Sequence, residues 1–288
     1  MIYTYSVSQI GSYHIKHGTV CQDSVKTKKI NDSVAVAIVA DGLGSADLSD
    51  IGSRLAVEHA MKSIESDLNI SLTDFNILES LRKAFASAYN AIEMEAESNN
   101  NQIELYDTTL TMAVLINNTL FYGHSGDGGI IALTTNGTYE QVTNQQRDKE
   151  GRVFPLFFTD KWEFCEYEQK VCAVLLATDG MLEPFFPIYI KDKDVKIHVS
   201  LATFFMDNKS LCIDEYGEEE TAKRIGDYIS KISSVSDDKT IAVLINTKIQ
   251  PHEQPDEYYK EPDWKALKAE HDKNWRKLAY PGLFGEKT

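Results

Sequence analysis

The stretch Val34-Ala-Val-Ala-Ile-Val-Ala-Asp41-Gly42-Leu43-Gly44-Ser45 restricts the possible folds of this chain more than any other. Apolar residues run without a break for the length of a strand, then stop at an aspartate followed by glycine. A short Val- and Ile-rich run bounded by turn residues reads as a strand buried on both faces, because a strand with one wet face would alternate. Such a strand belongs inside a sheet that is covered on each side. The pattern returns at Val171-Cys-Ala-Val-Leu-Leu-Ala-Thr178, which delivers Asp179-Gly180. A last apolar run, Ile241–Ile245, follows Asp237-Asp238-Lys-Thr240. An acid at the exit of a buried strand does no packing. Asp-Gly is a common turn dipeptide, so each position taken alone also reads as a tight turn. The other reading is that Asp41 and the Gly42 carbonyl are oxygen ligands for a hard cation.

The remaining elements follow from period and punctuation. Tyr3–Ser8 alternates as a strand does, and Gly11–Cys21 reads as a polar loop carrying His14, Lys16 and His17. Val57, Met61, Ile64 and Leu68, then Leu78, Leu81, Phe85, Ala88 and Ile92, recur at helical spacing. They predict two amphipathic helices over 52–68 and 74–97, the second capped at Thr73-Asp74. Asn117-Asn118 and Asn136-Gly137 predict hairpin turns. Segment 143–152 reads as loop, Trp162–Glu168 as strand, and 184–236 as irregular chain closing in a helix. That helix turns Ala222, Ile225, Ile229 and Ile232 to one face. Many strands on short turns beside two adjacent helices predict sheet packed on sheet with helices outside. Beyond Gln250 a proline-marked linker leads to the stripe Trp264, Leu267, His271, Trp275 and Leu278. The stripe reads as a packing face against the domain or as a docking helix for a partner.

Composition removes several functions. A formal charge of −15 lacks the basic footprint that nucleic acid requires. No apolar run approaches the roughly 20 residues that span a bilayer, and the start carries no secretory pattern. Cys21, Cys165, Cys172 and Cys212 lie far apart, without a CxxC pair, which argues against structural zinc and a disulfide framework and fits a reducing cytoplasm. An acidic protein that acts on phosphate must also overcome repulsion, and bound divalent cations would do so.

Five acids, Asp23, Asp41, Asp127, Asp179 and Asp238, each stand beside a strand end. Carboxylates converging on one rim repel unless cations hold them, and an all-oxygen set suits Mg²⁺ or Mn²⁺. Two such ions about 4 Å apart serve in-line attack of a metal-held hydroxide on phosphorus. The order Gln22-Asp23, Val39-Ala-Asp41-Gly42-Leu-Gly44, Thr108-Thr109, Ser125-Gly-Asp127, Ala177-Thr-Asp179-Gly180 and Asp238-Lys-Thr240 resembles the metal-dependent Ser/Thr protein phosphatases of the 2C type. The likeness covers about residues 5–248. The opening from Gly11 to Asp23 resembles a bacterial branch of that family.

The resemblance implies an α+β fold, a four-layer α-β-β-α sandwich with a central antiparallel β-sandwich flanked by helices. The phosphatase domain would be 1–250, with a mobile flap within 184–236, and 251–288 would be linker and C-terminal amphipathic helix. It implies Asp41 as the bridging ligand, the Gly42 carbonyl, Asp179 and Asp238 as further ligands of two Mn²⁺ or Mg²⁺ ions, and Asp23 acting mainly through water. A third ion would lie at Asp127, Asp179 and Glu183. The expected activity is hydrolysis of phosphoserine and phosphothreonine in proteins. The expected partners are a phosphoprotein substrate and a cognate kinase or a von Willebrand-type domain protein, with no nucleic acid and no membrane.

Three departures bear on this. Gly18 stands where the family often places a phosphate-holding arginine, leaving Lys16, His17 or His14 as candidates. Ser45 replaces a glycine, and Leu43 occupies the place of a general-acid histidine found in some eukaryotic members. The missing arginine supports an alternative, a pseudophosphatase that binds phosphoproteins or a kinase without turnover. Gly123-His-Ser125-Gly-Asp127 evokes a nucleophile elbow but lacks its final glycine and the helix the elbow requires, so Ser125 reads as structural.

Overall fold

The computed structural model describes residues 1–70, 76–191, 193 and 195–280. Its strands are β1 (Ile2–Gln9), β2 (Asp23–Asn31), β3 (Val34–Asp41), β4 (Leu110–Ile116), β5 (Thr119–Ser125), β6 (Gly129–Thr134), β7 (Tyr139–Gln141), β8 (Glu163–Glu166), β9 (Val171–Ala177) and β10 (Lys239–Asn246). They form two five-stranded sheets, ordered β1-β10-β9-β6-β7 and β2-β3-β4-β5-β8, with antiparallel neighbours throughout. The hairpins predicted at Asn117-Asn118 and Asn136-Gly137 join β4 to β5 and β6 to β7, with positive φ at Asn117 and Gly137.

The unbroken apolar runs are explained by where their two faces go. Along β3, Ala35, Ala37 and Val39 meet Val174 and Leu176 of β9 and Ala242 and Leu244 of β10 between the sheets. Val34, Val36, Ile38 and Ala40 face the other way, onto helices α2 (Ser49–Ile70) and α3 (Ile77–Ser98). On the far side, Leu175, Ala177, Ile241, Val243 and Ile245 pack under a second helical layer. The fold is therefore α+β, four layers deep, with both sheets covered on both faces. A fully buried side chain of this size contributes about 1.5–3 kcal/mol, which is what holds helices that would be marginal in isolation.

Some expected boundaries move. Gly11–Cys21 is not all loop: Ser12–His17 forms α1, closed by Gly18 at φ 69. The cap expected at Thr73-Asp74 lies outside the described residues; α3 begins after Asn76, whose side chain accepts from the Glu79 N–H at 3.2 Å. Segment 184–236 is more regular than predicted. It contains the end of α4 (Asp179–Phe185), then α5 (Val199–Met206), α6 (Asn208–Leu211) and α7 (Ile213–Ile229). Phe185, Ala202, Phe205, Ile213 and Ile229 of these helices are fully buried against the β9–β10 face.

After β10 the chain stays close to the body. The His252 N–H donates to the Thr135 carbonyl, and the Tyr258 hydroxyl, in α8 (Asp256–Tyr259), accepts from the Tyr139 N–H at 2.7 Å. Helix α9 (Trp264–Ala279) uses only the first half of its apolar stripe. Trp264 stacks on His198 at 4.3 Å, and Lys193 pairs with Glu270 at 3.0 Å. Trp275 and Leu278 stay exposed, so only part of the stripe packs against the domain.

Candidate metal centre

Every site acid enters from the end of a strand or the first turn beyond one. Asp41 ends β3 and stands directly opposite Asp23, the first residue of β2. Backbone bonds fix Asp41 independently of its carboxylate: its N–H donates to Thr109 Oγ1 at 2.9 Å, and its carbonyl accepts from the Thr109 N–H and Thr108 Oγ1. Gly42 cannot be replaced, because a Cβ there would lie 2.7 Å from the Ser49 carbonyl oxygen. Asp127 follows β5 through Gly126, whose φ of +113° is open to glycine and strained for other residues. Asp179 opens α4, and the next residue, Gly180, lies so close to the Asp238 carbonyl that a Cβ would fall within 2.1 Å of it.

Oxygen atoms of Asp41, Asp127 and Asp179 lie within 4.8 Å of one another. They sit in a cleft of about 540 Å³ whose other walls include Tyr13, His14, His17 and Thr19 from α1 and the turn after it, and Gly42, Leu43 and Gly44. Asp237 lines the same cleft.

This last residue is not among those expected from the sequence, which named its neighbour Asp238. Asp238 is buried, and both of its oxygens are engaged by backbone: Oδ1 accepts from the Gly11 N–H at 2.6 Å and Oδ2 from the Gln22 N–H at 2.7 Å. It fastens the segments on either side of α1 to the start of β10. Its neighbour Asp237 has a side chain 59% exposed and is the one that faces the cleft acids. The two residues stand just before β10, and of the pair Asp237 is the one that lines the cleft.

Asp23 has Oδ2 bound by Thr178 Oγ1 at 2.8 Å, while Oδ1 is buried with no partner among the described residues. A buried acceptor left unpaired needs a ligand, a water or a proton. Glu183, one helical turn after Asp179, is exposed and lines a neighbouring cleft with Asp179, Phe186 and Lys191, outside the group of three. Of the basic candidates on α1, His14 is committed internally. Its Nδ1 bonds Thr19 Oγ1 at 2.8 Å, and Nε2 lies 3.5 Å from Asp237 and 3.8 Å from Asp238. His17 lies on the cleft wall with Nδ1 2.7 Å from the Tyr13 carbonyl, whereas Lys16 is not among the lining residues. Ser125 is buried at the end of β5, and a turn follows it rather than a helix.

One cation enters the centre without having been foreseen. Arg147, in the loop between β7 and β8, donates from Nη2 to Asp127 and lies 3.5 Å from Asp179. A single loop arginine carries no pattern in sequence that would mark it.

The carboxylates respond to crowding. Burial, followed by the charges of Asp23, Asp179 and Asp127, holds Asp41 well above the ordinary carboxylate range. Burial, then the Asp238 charge, pushes Asp23 up to about 8; burial, then Asp179, pushes Asp127 up to about 6. Asp179 is raised by burial and then by Asp237. A hard divalent cation would relieve the crowding of Asp41, Asp179 and Asp23. The donor set is all oxygen, and the orphaned Asp23 atom gains a place for an ordered water, so the residues fit Mg²⁺ or Mn²⁺.

A pH dependence follows. Unfolded, these acids ionise near 3.8; folded and without metal, Asp127 and Asp23 keep their protons to about 6 and 8. Between about 4 and 8 these groups bind more protons in the folded state than in the unfolded one, so their contribution to stability is complete below about 4 and is lost as pH rises through 6 and 8. Calorimetry in EDTA is expected to give a Tm lower by about 5 °C or more at pH 8 than at pH 5, with saturating Mn²⁺ removing much of that fall. A Tm that climbs over this window in EDTA would contradict the raised carboxylates.

Comparison with known proteins agrees with the architecture. A sequence model described as Protein phosphatase 2C matches residues 10–209. The chain is similar to the catalytic domain of the serine threonine protein phosphatase PstP, solved in complex with two manganese ions. Identity is 20%, with a TM-score of 0.58, covering 85% of this chain and 97% of that one. It is also similar to PppA, described as a key regulatory component of T6SS in Pseudomonas aeruginosa, at 17% identity and a TM-score of 0.57, over 85% and 97% of the two chains. A bacterial serine phosphatase is matched over its full length and 88% of this chain, at 14% identity and a TM-score of 0.56. No curated protein matches the chain.

Proposed function

Because this chain belongs to the protein phosphatase 2C family, we propose that it is a metal-dependent phosphatase that removes phosphate from phosphoserine and phosphothreonine in proteins. The observation that carries this reading is the meeting of Asp41, Asp127 and Asp179 in one cleft, with Asp237 on its wall. Carboxylates that raise one another's pKa have no packing value, and a chain with no use for a cation would gain stability by losing them.

In this reading Asp41, the Gly42 carbonyl, Asp179 and Asp237 hold two ions, with Asp23 behind them. When bound, Mn²⁺ or Mg²⁺ would activate a water for attack on phosphorus and offset charge on the phosphate oxygens. The protein's own share is placement. Thr108 and Thr109 fix the Asp41 backbone, Thr178 orients Asp23, and Asp238 ties Gly11 and Gln22 so that α1 stands over the cleft. His17 is the basic group on α1 available to the substrate phosphate, since His14 is committed to Thr19 and faces the carboxylates.

The substrate is a phosphoprotein, the opposing enzyme a Ser/Thr kinase, and the setting a reducing cytoplasm in which the four cysteines stay thiols. Among the described residues no helix is long and apolar enough to cross a membrane. One observation favours a second reading, a binding module without turnover: Gly18 leaves the usual place of the phosphate arginine empty. Hydrolysis of p-nitrophenyl phosphate and a phosphothreonine peptide, with EDTA, Mg²⁺ or Mn²⁺, separates the two. Turnover that appears only with metal is the expected result; a folded protein that binds Mn²⁺ and phosphopeptide without turnover would be the binding module.

A further inference from the structure

We propose that Arg147 is a built-in cation that takes the place between Asp127 and Asp179 where a third divalent ion would otherwise sit, so that the centre loads two ions and not three. This deepens the metal-enzyme reading above and rests on it.

The case lies in how firmly the arginine is placed. The two residues before it are fastened to the turn that carries Asp127. Gln145 Nε2 donates to the Asp127 carbonyl at 2.9 Å. Gln146 exchanges bonds with Gly126, its N–H donating to the Gly126 carbonyl at 2.8 Å and its Oε1 accepting from the Gly126 N–H at 3.1 Å. The guanidinium is held from its other side as well, since Nη1 donates to the Gly151 carbonyl at 3.1 Å. That carbonyl belongs to a closed turn. Gly151 donates back to the Asp148 carbonyl, and the Asp148 carboxylate accepts from the N–H groups of Glu150 and Arg152 at 2.9 and 2.8 Å.

Nη2 thus arrives at the Asp127 and Asp179 oxygens with its backbone and its far edge already fixed. A planar, permanently charged fork anchored at both ends is suited to act as a fixed counter-charge rather than as a mobile reader of substrate. Asp127 is 3% exposed, and ionising it there needs a partner in contact. A tethered guanidinium supplies one that dilution and chelators cannot remove.

The test is metal stoichiometry, read without turnover. Mn²⁺ bound per chain is measured by isothermal titration calorimetry and by elemental analysis after equilibrium dialysis, for wild type, Arg147→Gln, Arg147→Lys and Arg147→Gln/Asp127→Asn. The expected numbers are two for wild type, three for Arg147→Gln, two for Arg147→Lys, and two again for the double variant. Three ions in wild type overturn the proposal whatever the variants do, including the case in which Arg147→Gln fails to fold. Two ions in a folded Arg147→Gln protein, by near-UV circular dichroism, overturn it as well. No Mn²⁺ bound to wild type would instead overturn the metal-enzyme reading on which the proposal stands.

Discussion

Asp41→Asn is expected to lower metal-dependent hydrolysis of a phosphothreonine peptide by about 1,000-fold or more, the scale seen when a group that acts on developing charge is removed. The same substitution is expected to raise the Tm in EDTA. Both follow from one arrangement. The Asp41 backbone is held by Thr108 and Thr109, so the loop keeps its path when the carboxylate is gone. What disappears is a negative charge that burial and the neighbouring acids already disfavour. A residue that costs stability and supports the reaction shows opposite signs in the two measurements. Full turnover in a folded Asp41→Asn protein would end the proposal that this cleft does the chemistry.

The second large effect separates two adjacent aspartates. Asp237→Ala is expected to leave the fold near wild-type stability and to weaken Mn²⁺ binding by about 10-fold to 100-fold, with turnover falling in step. Asp238→Ala is expected to do the reverse first. It leaves the Gly11 and Gln22 N–H groups without their acceptor, and hydrogen bonds to a charged group contribute about 1.5–3 kcal/mol each, so a loss of about 3 kcal/mol or more is the expected scale. Relief of the repulsion between Asp238 and Asp23 offsets part of it. Urea unfolding and Mn²⁺ calorimetry on both variants decide the matter. If Asp238→Ala were fully stable and lost its metal while Asp237→Ala kept it, the assignment drawn from the structure would be reversed.

These two residues also show where reading a sequence stops. Strand β3 was legible because an unbroken apolar run has one explanation, burial on both faces, and the structure supplies a neighbour for each face. Helices α2 and α3 were legible because their apolar residues repeat over several turns. Helix α1 was not, since Ser12–His17 is too short for a period and mostly polar. Helix α5, Val199–Met206, hides for the opposite reason: it is nearly all apolar and gives no face to detect. Asp237 and Asp238 are the same residue type in succession at the mouth of a strand. Alternation says that they point apart, but only the partners, Gly11 and Gln22 more than 200 positions away, decide which one turns inward. Arg147 is beyond reach for a related reason. Its role comes from a loop whose path is set by bonds to Gly126 and Asp127, and those are tertiary facts.

The strand order carries a consequence in time. Among the described strands β1 is made first and lies at an edge of its sheet, paired with β10, which is made last. A ribosome must therefore release every strand between them before Ile2 finds Asn246 opposite it, and pairing across so many residues is slow to form. Asp237 and Asp238 arrive with that same closing strand. Until it slides between β1 and β9, the nascent chain has neither the latch that seats α1 nor the fourth acid of the cleft. Closure of the sheet and completion of the cleft are thus a single event, and a chain that lacks β10 lacks both.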